Sequence, residues 1–429
     1  MIKKLNSSTF KKYFFNSSWM LAEQFLRIVS GVFVGIYVAR YLGPDSYGIL
    51  SYLIAVATFL IAISRLGMDA IVVREVVKQE ERYEVLTGTA FWLMFVAGVV
   101  CTALAVVYFY FSDESDCVKL YACIMSMGCI FTSVYVFDYY FQAKVKAKYS
   151  AIIKSIALLV MSLVKLWLIV IQAKLFWFVC AFLADFIILS LFFAIMALRL
   201  GILNCLSKFS WHDAKDMLMS AWPLVLGSVA IQIYMRIDQV MIRDILGLRE
   251  VGIYSAAVRI YEAWVVFLVV ITISLLPAII TLKNRNEQLY HNRLSQLLAV
   301  VIWSSVLVAV VATFWGEELM VLTFGEDYRE SAGVLSIIMW TGVFAGMGTV
   351  SARYLNVEKM ERKFAVRTVA AAVVNVVLNY LLIPIYGIKG AAISTFMCTF
   401  FANYVMDWFD PELKLLLKLK HRAIFRPIG

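Results

Sequence analysis

Solid apolar runs of about twenty residues, separated by short polar clusters, fill the chain from about residue 17 to residue 408. A transmembrane barrel would instead alternate apolar and polar positions in segments of about 10. Runs near 20 residues match a helix crossing the roughly 30 Å hydrocarbon core of a bilayer. The pattern predicts helices over 17–39, 47–68, 86–111, 118–140, 150–171, 175–198, 217–241, 252–281, 294–315, 330–351, 365–385 and 388–408. Twelve such spans leave only short connections, with no room for a soluble domain. The expected class is an all-α polytopic membrane protein.

Composition agrees with this. The 429 residues are 63% hydrophobic and 16% charged, against roughly 45–50% and about 25% in soluble domains. The connections alternate in character. The first, third and fifth (42–46, 112–117, 172–174) are very short, whereas the second and eighth (74–84, 283–293) are longer and basic. Cytoplasmic loops carry the excess of Lys and Arg. The net charge of +10 is therefore read as topology rather than nucleic-acid binding, and both termini are expected to be cytoplasmic. The basic start (Lys3, Lys4, Lys11, Lys12) has no small-residue cleavage site after it, so an uncleaved first span is expected. The basic tail (Lys414, Lys418, Lys420, Arg422, Arg426) reads as a topology anchor or a contact for anionic lipid head groups. Seven cysteines without metal-ligand spacing, an odd number, argue against a disulfide framework.

The chain repeats itself. LGPDSYGILS at 42–51 aligns with LGLREVGIYS at 246–255, matching Leu42/Leu246, Gly43/Gly247, Gly48/Gly252, Ile49/Ile253 and Ser51/Ser255 at an offset of 204. Lys144, Lys148 and Tyr149 match Lys359, Lys363 and Phe364 at an offset of 215. Spacing of this kind is not a hydropathy pattern. Two six-helix bundles are expected, 1–204 and 205–429, as a parallel repeat with the substrate site near the midplane. The glycines suit a turn with positive φ between the first two helices of each copy.

Four segments resemble the bacterial polysaccharide-unit flippases, the O-antigen and oligosaccharide-lipid translocases. They are ARYLGPDSYG at 39–48, RIDQVMI at 236–242 with EVGIYSAAVRIYEAW at 250–264, TFGEDY at 323–328, and IPIYGIKGAAIST at 383–395. Their order spans nearly the whole chain. The resemblance implies membership of the superfamily that also holds multidrug extruders and the peptidoglycan-precursor flippase, with a V-shaped pair of bundles around a polar cavity. It implies a cargo of undecaprenyl pyrophosphate carrying a short oligosaccharide, and a place in the bacterial inner membrane. The lipid bilayer and the pathway's polymerase and chain-length regulator are the expected partners, with no nucleic acid.

An ionisable group deep in a bilayer is costly unless it faces a cavity or a partner. At 1.5 Å per residue, Arg27 lies roughly 15 Å into the first span, with Glu23 one turn earlier on the same face. Glu262 lies about 15 Å into the eighth span, with Arg259 one turn away. Each pair is either a self-contained ion pair or an anion site whose guanidinium fork suits pyrophosphate. Arg236, Lys165, Asn375 and Asn379 join Arg27 and Arg259 as candidate substrate-binding residues. Glu23, Asp185, Asp238 and Glu262 are candidates for ion coupling or charge balance. No cofactor is expected beyond a proton or Na⁺ for coupling. Lys154, Asp138 and Arg65 lie near span ends, where snorkelling to the interface is the default. Trp222 and Trp264 either stack sugars or face lipid and core.

The chain has no Gly-x4-Gly-Lys-Ser/Thr segment that would build an ATP motor. Its longest expected outer loop, 316–329, leaves little room for a catalytic site. His212, His291 and His421 form no ligand cluster. The expected activity is therefore transport without covalent chemistry. The rivals are an ion-coupled small-molecule exporter and a membrane enzyme that polymerises or ligates the lipid-linked units.

Overall fold

Helices account for nearly all of the computed structural model, which describes residues 7–283 and 285–425. Lys3, Lys4 and Arg426, part of the basic termini, lie outside the described residues. The first helix, α1, runs Ser7–Ser64. At 58 residues it would reach about 87 Å, nearly three times the hydrocarbon thickness. It turns instead at Gly43, whose φ of 68° is followed by Pro44. Proline lacks the amide hydrogen and clashes with the carbonyl four residues back, while glycine tolerates the positive φ. The first two expected spans are thus one chain of helix with a sharp corner and no loop.

The rest of the first half comprises α2 (Met68–Lys78), α3 (Tyr83–Phe111), α4 (Asp116–Ser126), α5 (Gly128–Phe131), α6 (Val136–Ala143), α7 (Ala147–Val170) and α8 (Leu175–Arg199). The expected span 118–140 is therefore broken. Ser126, Thr132 and Ser133 hydroxyls donate to the carbonyls three residues back, competing with the main-chain ladder. The second half comprises α9 (Trp211–Ile245), α10 (Leu248–Lys283), α11 (Glu287–Phe324), α12 (Ser331–Val357), α13 (Glu361–Tyr386), α14 (Ile388–Phe400), α15 (Met406–Phe409) and α16 (Lys414–Phe425). Among the described residues, ten helices are long and apolar enough to cross a membrane. The corner in α1 divides one of these into two traverses. The expected last span, 388–408, is not among the ten and carries a π-helical turn at Phe401–Val405. Twelve traverses result.

Two compact units emerge: residues 1–34 with 53–232, and residues 35–52 with 233–429. They interleave along the chain. The first unit is built on Met68, Ile71, Val72, Met94, Phe137, Phe141 and Phe193. The second is built on Leu268, Leu294, Leu298, Val301, Met347 and Val350, with Leu416, Leu419 and Ala423 of α16 packed into the same core.

The repeat has a physical counterpart inside the second unit. A methyl group placed on Gly48 would lie 1.8 Å from the Leu248 carbonyl oxygen, and one on Gly252 would lie 2.0 Å from that of Pro44. Both contacts join positions that the offset of 204 exchanges: 48 with 252, and 44 with 248. Asp45 and Arg249, related by the same offset, pair with each other at 3.1 Å. Each of these two turns therefore presents the same surface to the other, as across a local twofold axis. Gly247, the counterpart of Gly43, has φ 110°.

Candidate functional site

In the first unit, Arg27 and Glu23 form the expected one-turn pair at 3.4 Å, with Glu23 buried and the Arg27 side chain 54% exposed. The guanidinium also donates to Gln24 Oε1. Lys165 on α7 and Asp185 on α8 bind each other at 2.7 Å. Lys165 is thus balanced by a carboxylate that the sequence had assigned to another role. Asp138 does not snorkel: it is 5% exposed and accepts from Lys154 at 2.6 Å, from Gln142 at 3.1 Å and from Ser150. Arg65 places its guanidinium over the Tyr135 ring, 5.1 Å from the centroid.

The second unit changes the expected pairing. Glu262 on α10 pairs with Arg236 on α9 at 2.9 Å, rather than with Arg259 of its own helix. Helical spacing puts Arg259 within reach, but the neighbouring helix supplies the better-placed cation. Among the described residues Arg259 has neither an ion-pair nor a hydrogen-bond partner, and its Nε is buried and unsatisfied. Its guanidinium fills the space beside Gly35 of α1.

Asp238, two residues after Arg236 on α9, sits in a polar cluster and is 4% exposed. Tyr254 of α10 donates its hydroxyl at 2.6 Å, Asn379 of α13 its amide at 2.5 Å, and Thr395 of α14 its hydroxyl at 2.6 Å. Asn375 and Asn379 are fully buried, and Asn379 also donates to Asn375 Oδ1 on its own helix at 3.4 Å. Ser394 donates to the Asn375 carbonyl at 3.1 Å. Two amide atoms beside this carboxylate, Asn375 Nδ2 and Asn379 Oδ1, are buried without a partner. Tyr254 and Thr395 were not selected from the sequence, although both lie in the motifs EVGIYSAAVRIYEAW and IPIYGIKGAAIST. Of the two tryptophans, Trp264 donates to Ser305 Oγ at 3.1 Å within the core, and Trp222 is exposed.

A second buried charge cluster escaped the sequence reading. Asp407 is fully buried and pairs with Arg367 of α13 and with Lys420 of α16 at 2.6 Å. Lys420 also donates to the Asn403 carbonyl at 2.5 Å, inside the π-helical turn. This corrects the tail: Lys420 is 0% exposed and is no head-group contact, and Arg422 donates to Asn292 at 2.6 Å. Lys414 and Lys418 are exposed. The available signal was Lys420's place on the apolar stripe of Leu416, Leu419 and Ala423, at helical spacing. Next to this cluster, burial pushes the Asp410 carboxyl up, but the Lys363 ammonium, the Glu412 N–H and the Arg367 guanidinium together hold the group below its usual range.

Among the described residues no three His, Cys, Asp or Glu side chains gather as a metal site, and all seven cysteines are free thiols.

A family model described as "Polysaccharide biosynthesis protein" matches residues 14–283, and the MatE model matches residues 223–381. The probable low-salt glycan biosynthesis flippase Agl15 of Haloferax volcanii is 25% identical over 205 residues, covering 47% of this chain and 43% of the relative. The chain thus spans less than half the length of that curated relative. Among solved structures, the lipid II flippase MurJ in an inward closed conformation superposes with a TM-score of 0.72 at 15% identity, over 96% of this chain and 91% of that one. An inward-facing multidrug resistance MATE family transporter superposes at 0.71 and 16% identity, over 92% and 96%. These two likenesses establish the fold. With the first model covering well over half of its length, the chain belongs to the polysaccharide biosynthesis protein family, on the fold shared by multidrug transporters and the lipid II flippase.

Proposed function

We propose that this protein is a flippase for lipid-linked oligosaccharide, acting without covalent chemistry. Its cargo is an undecaprenyl-pyrophosphate-linked repeat unit, moved from the cytoplasmic to the periplasmic leaflet by alternating access, for O-antigen or another surface polysaccharide. Family membership and a relative named as a glycan biosynthesis flippase support the class. The observation that carries the chemistry is Arg259, a guanidinium within a membrane helix with none of its five donors engaged among the described residues. An unpaired cation there is expensive, and a bidentate anion such as pyrophosphate answers it. Arg27 of the first unit, half-exposed and paired with Glu23, is a separate candidate.

Arg259→Ala removes charge-assisted hydrogen bonds worth about 1.5–3 kcal/mol each and is expected to cut flipping by roughly 10- to 100-fold. Arg259→Lys keeps the charge, loses the fork, and is expected to fall between. Complementation of a flippase-null strain, scored by surface polysaccharide at matched protein level, reads this out. Normal polysaccharide in Arg259→Ala would remove the anion reading. For Arg27, recovery of function in the double variant Glu23→Gln/Arg27→Gln would show a self-contained ion pair instead.

Coupling to a proton or Na⁺ is assigned to Asp238. Asp185 and Glu262 already face Lys165 and Arg236. Asp238 is ringed by neutral donors, and the unpartnered Asn379 Oδ1 lies beside it. Hard cations take oxygen ligands, and the carboxylate, that amide oxygen and the Thr395 hydroxyl are such atoms. Asp238→Asn is expected to abolish the ion dependence of transport in proteoliposomes while the protein still assembles. Retention of normal ion dependence would exclude this residue.

The proposed topology has both termini on the cytoplasmic side, as the basic connections predict. A reporter fused after Gly429 that is active only in the periplasm would overturn it.

A further inference from the structure

Within the second unit, the space where a side chain would stand at Gly35 is taken by Arg259. A methyl group there would lie 2.5 Å from Nε, 2.5 Å from Nη2 and 2.7 Å from Cζ. Three atoms of one guanidinium thus converge on a single missing Cβ. Gly31, one turn earlier in α1, has nothing within 4 Å of the same position. Gly-x3-Gly spacing in a membrane helix usually serves close backbone packing. Here Gly35 receives a charged side chain, and no backbone atom is among its three nearest neighbours.

We propose that Gly35 is a positioning residue for anion recognition: its missing side chain sets where the Arg259 guanidinium rests, with its N–H groups unspent. The proposal rests on the anion reading of Arg259 given above. A substituent at 35 would force the guanidinium back by about 1 Å, a displacement that ordinarily costs a large part of an oriented site's efficiency. A lysine at 259 has no planar fork to displace, so residue 35 should matter little there. That interdependence separates positioning from a general effect on helix packing.

The experiment measures binding of farnesyl pyrophosphate to the purified full-length protein in nanodiscs, with farnesol as the uncharged control. Gly35→Ala is expected to weaken binding about tenfold or more, and Gly31→Ala to leave it within about twofold. In the Arg259→Lys background, adding Gly35→Ala should cost less than about twofold. Should Gly35→Ala alone fail to assemble, the Gly35→Ala/Arg259→Lys double variant still decides. Assembly with the affinity of Arg259→Lys supports positioning; a further tenfold loss, or failure to assemble, overturns it. If Arg259→Gln loses affinity while Gly35→Ala behaves like Gly31→Ala, positioning fails and the anion site stands. If Arg259→Gln binds the pyrophosphate as the native protein does, the anion reading itself fails.

Discussion

Asp407→Ala is expected to destabilise the second unit by about 3–5 kcal/mol, the range for breaking a buried ion pair from one side. The substitution leaves Arg367 and Lys420, 5% and 0% exposed, as two buried cations without their shared carboxylate. It also loosens α16, because Lys420 ties that helix to both Asp407 and the Asn403 carbonyl. The melting midpoint of the purified protein should drop, and α16 should become open to proteolysis. The triple variant Arg367→Met/Asp407→Leu/Lys420→Met tests the cause. With no charge left unpaired it should stay near native stability or exceed it. A native melting curve for Asp407→Ala would mean that water or a rearranged partner already balances the two cations.

Gly48→Ala and Gly252→Ala should each disrupt the contact between the repeat-related turns. The clash is with main-chain oxygens at 1.8 and 2.0 Å, so no side-chain rotation relieves it. The helices must separate by about 1.5 Å, at the upper end of the roughly 1–3 kcal/mol that overpacking costs. Both the yield of folded protein and polysaccharide at the cell surface should fall severely. Gly227→Ala, at a glycine with nothing within 4 Å, is the matched control and should be tolerated. The double variant should cost less than twice either single one, because one separation relieves both clashes. Strict additivity would argue that the two glycines act in separate contacts.

The proposed anion and ion-coupling residues were legible in the sequence as types and depths, and less so as partners. Arg259, Asp238 and Glu262 stand out because a charge inside a long apolar run has few reasons to be there. The same argument could not say that Glu262 would bind Arg236. It could not say that Lys165 and Asp185, 20 residues apart, would meet. It passed over Arg367 and Asp407 because both lie near the ends of expected spans, where a charge needs no special account.

By itself the sequence determined the class, the twelve traverses and the internal repeat. In a bilayer every backbone group must be paired within the chain, so apolar length alone selects helices and their number. The repeated turn residues carry the rest, since Gly43 and Gly247 both adopt a positive φ that other residue types disfavour. Only the tertiary structure decided that the first helix turns without a loop, that residues 35–52 pack with the second unit, and which charges pair. Helical periodicity fixes which residues share a face. It leaves open which other helix that face meets, and so Arg259 comes to lie against Gly35 while Asp238 gathers its donors from three other helices.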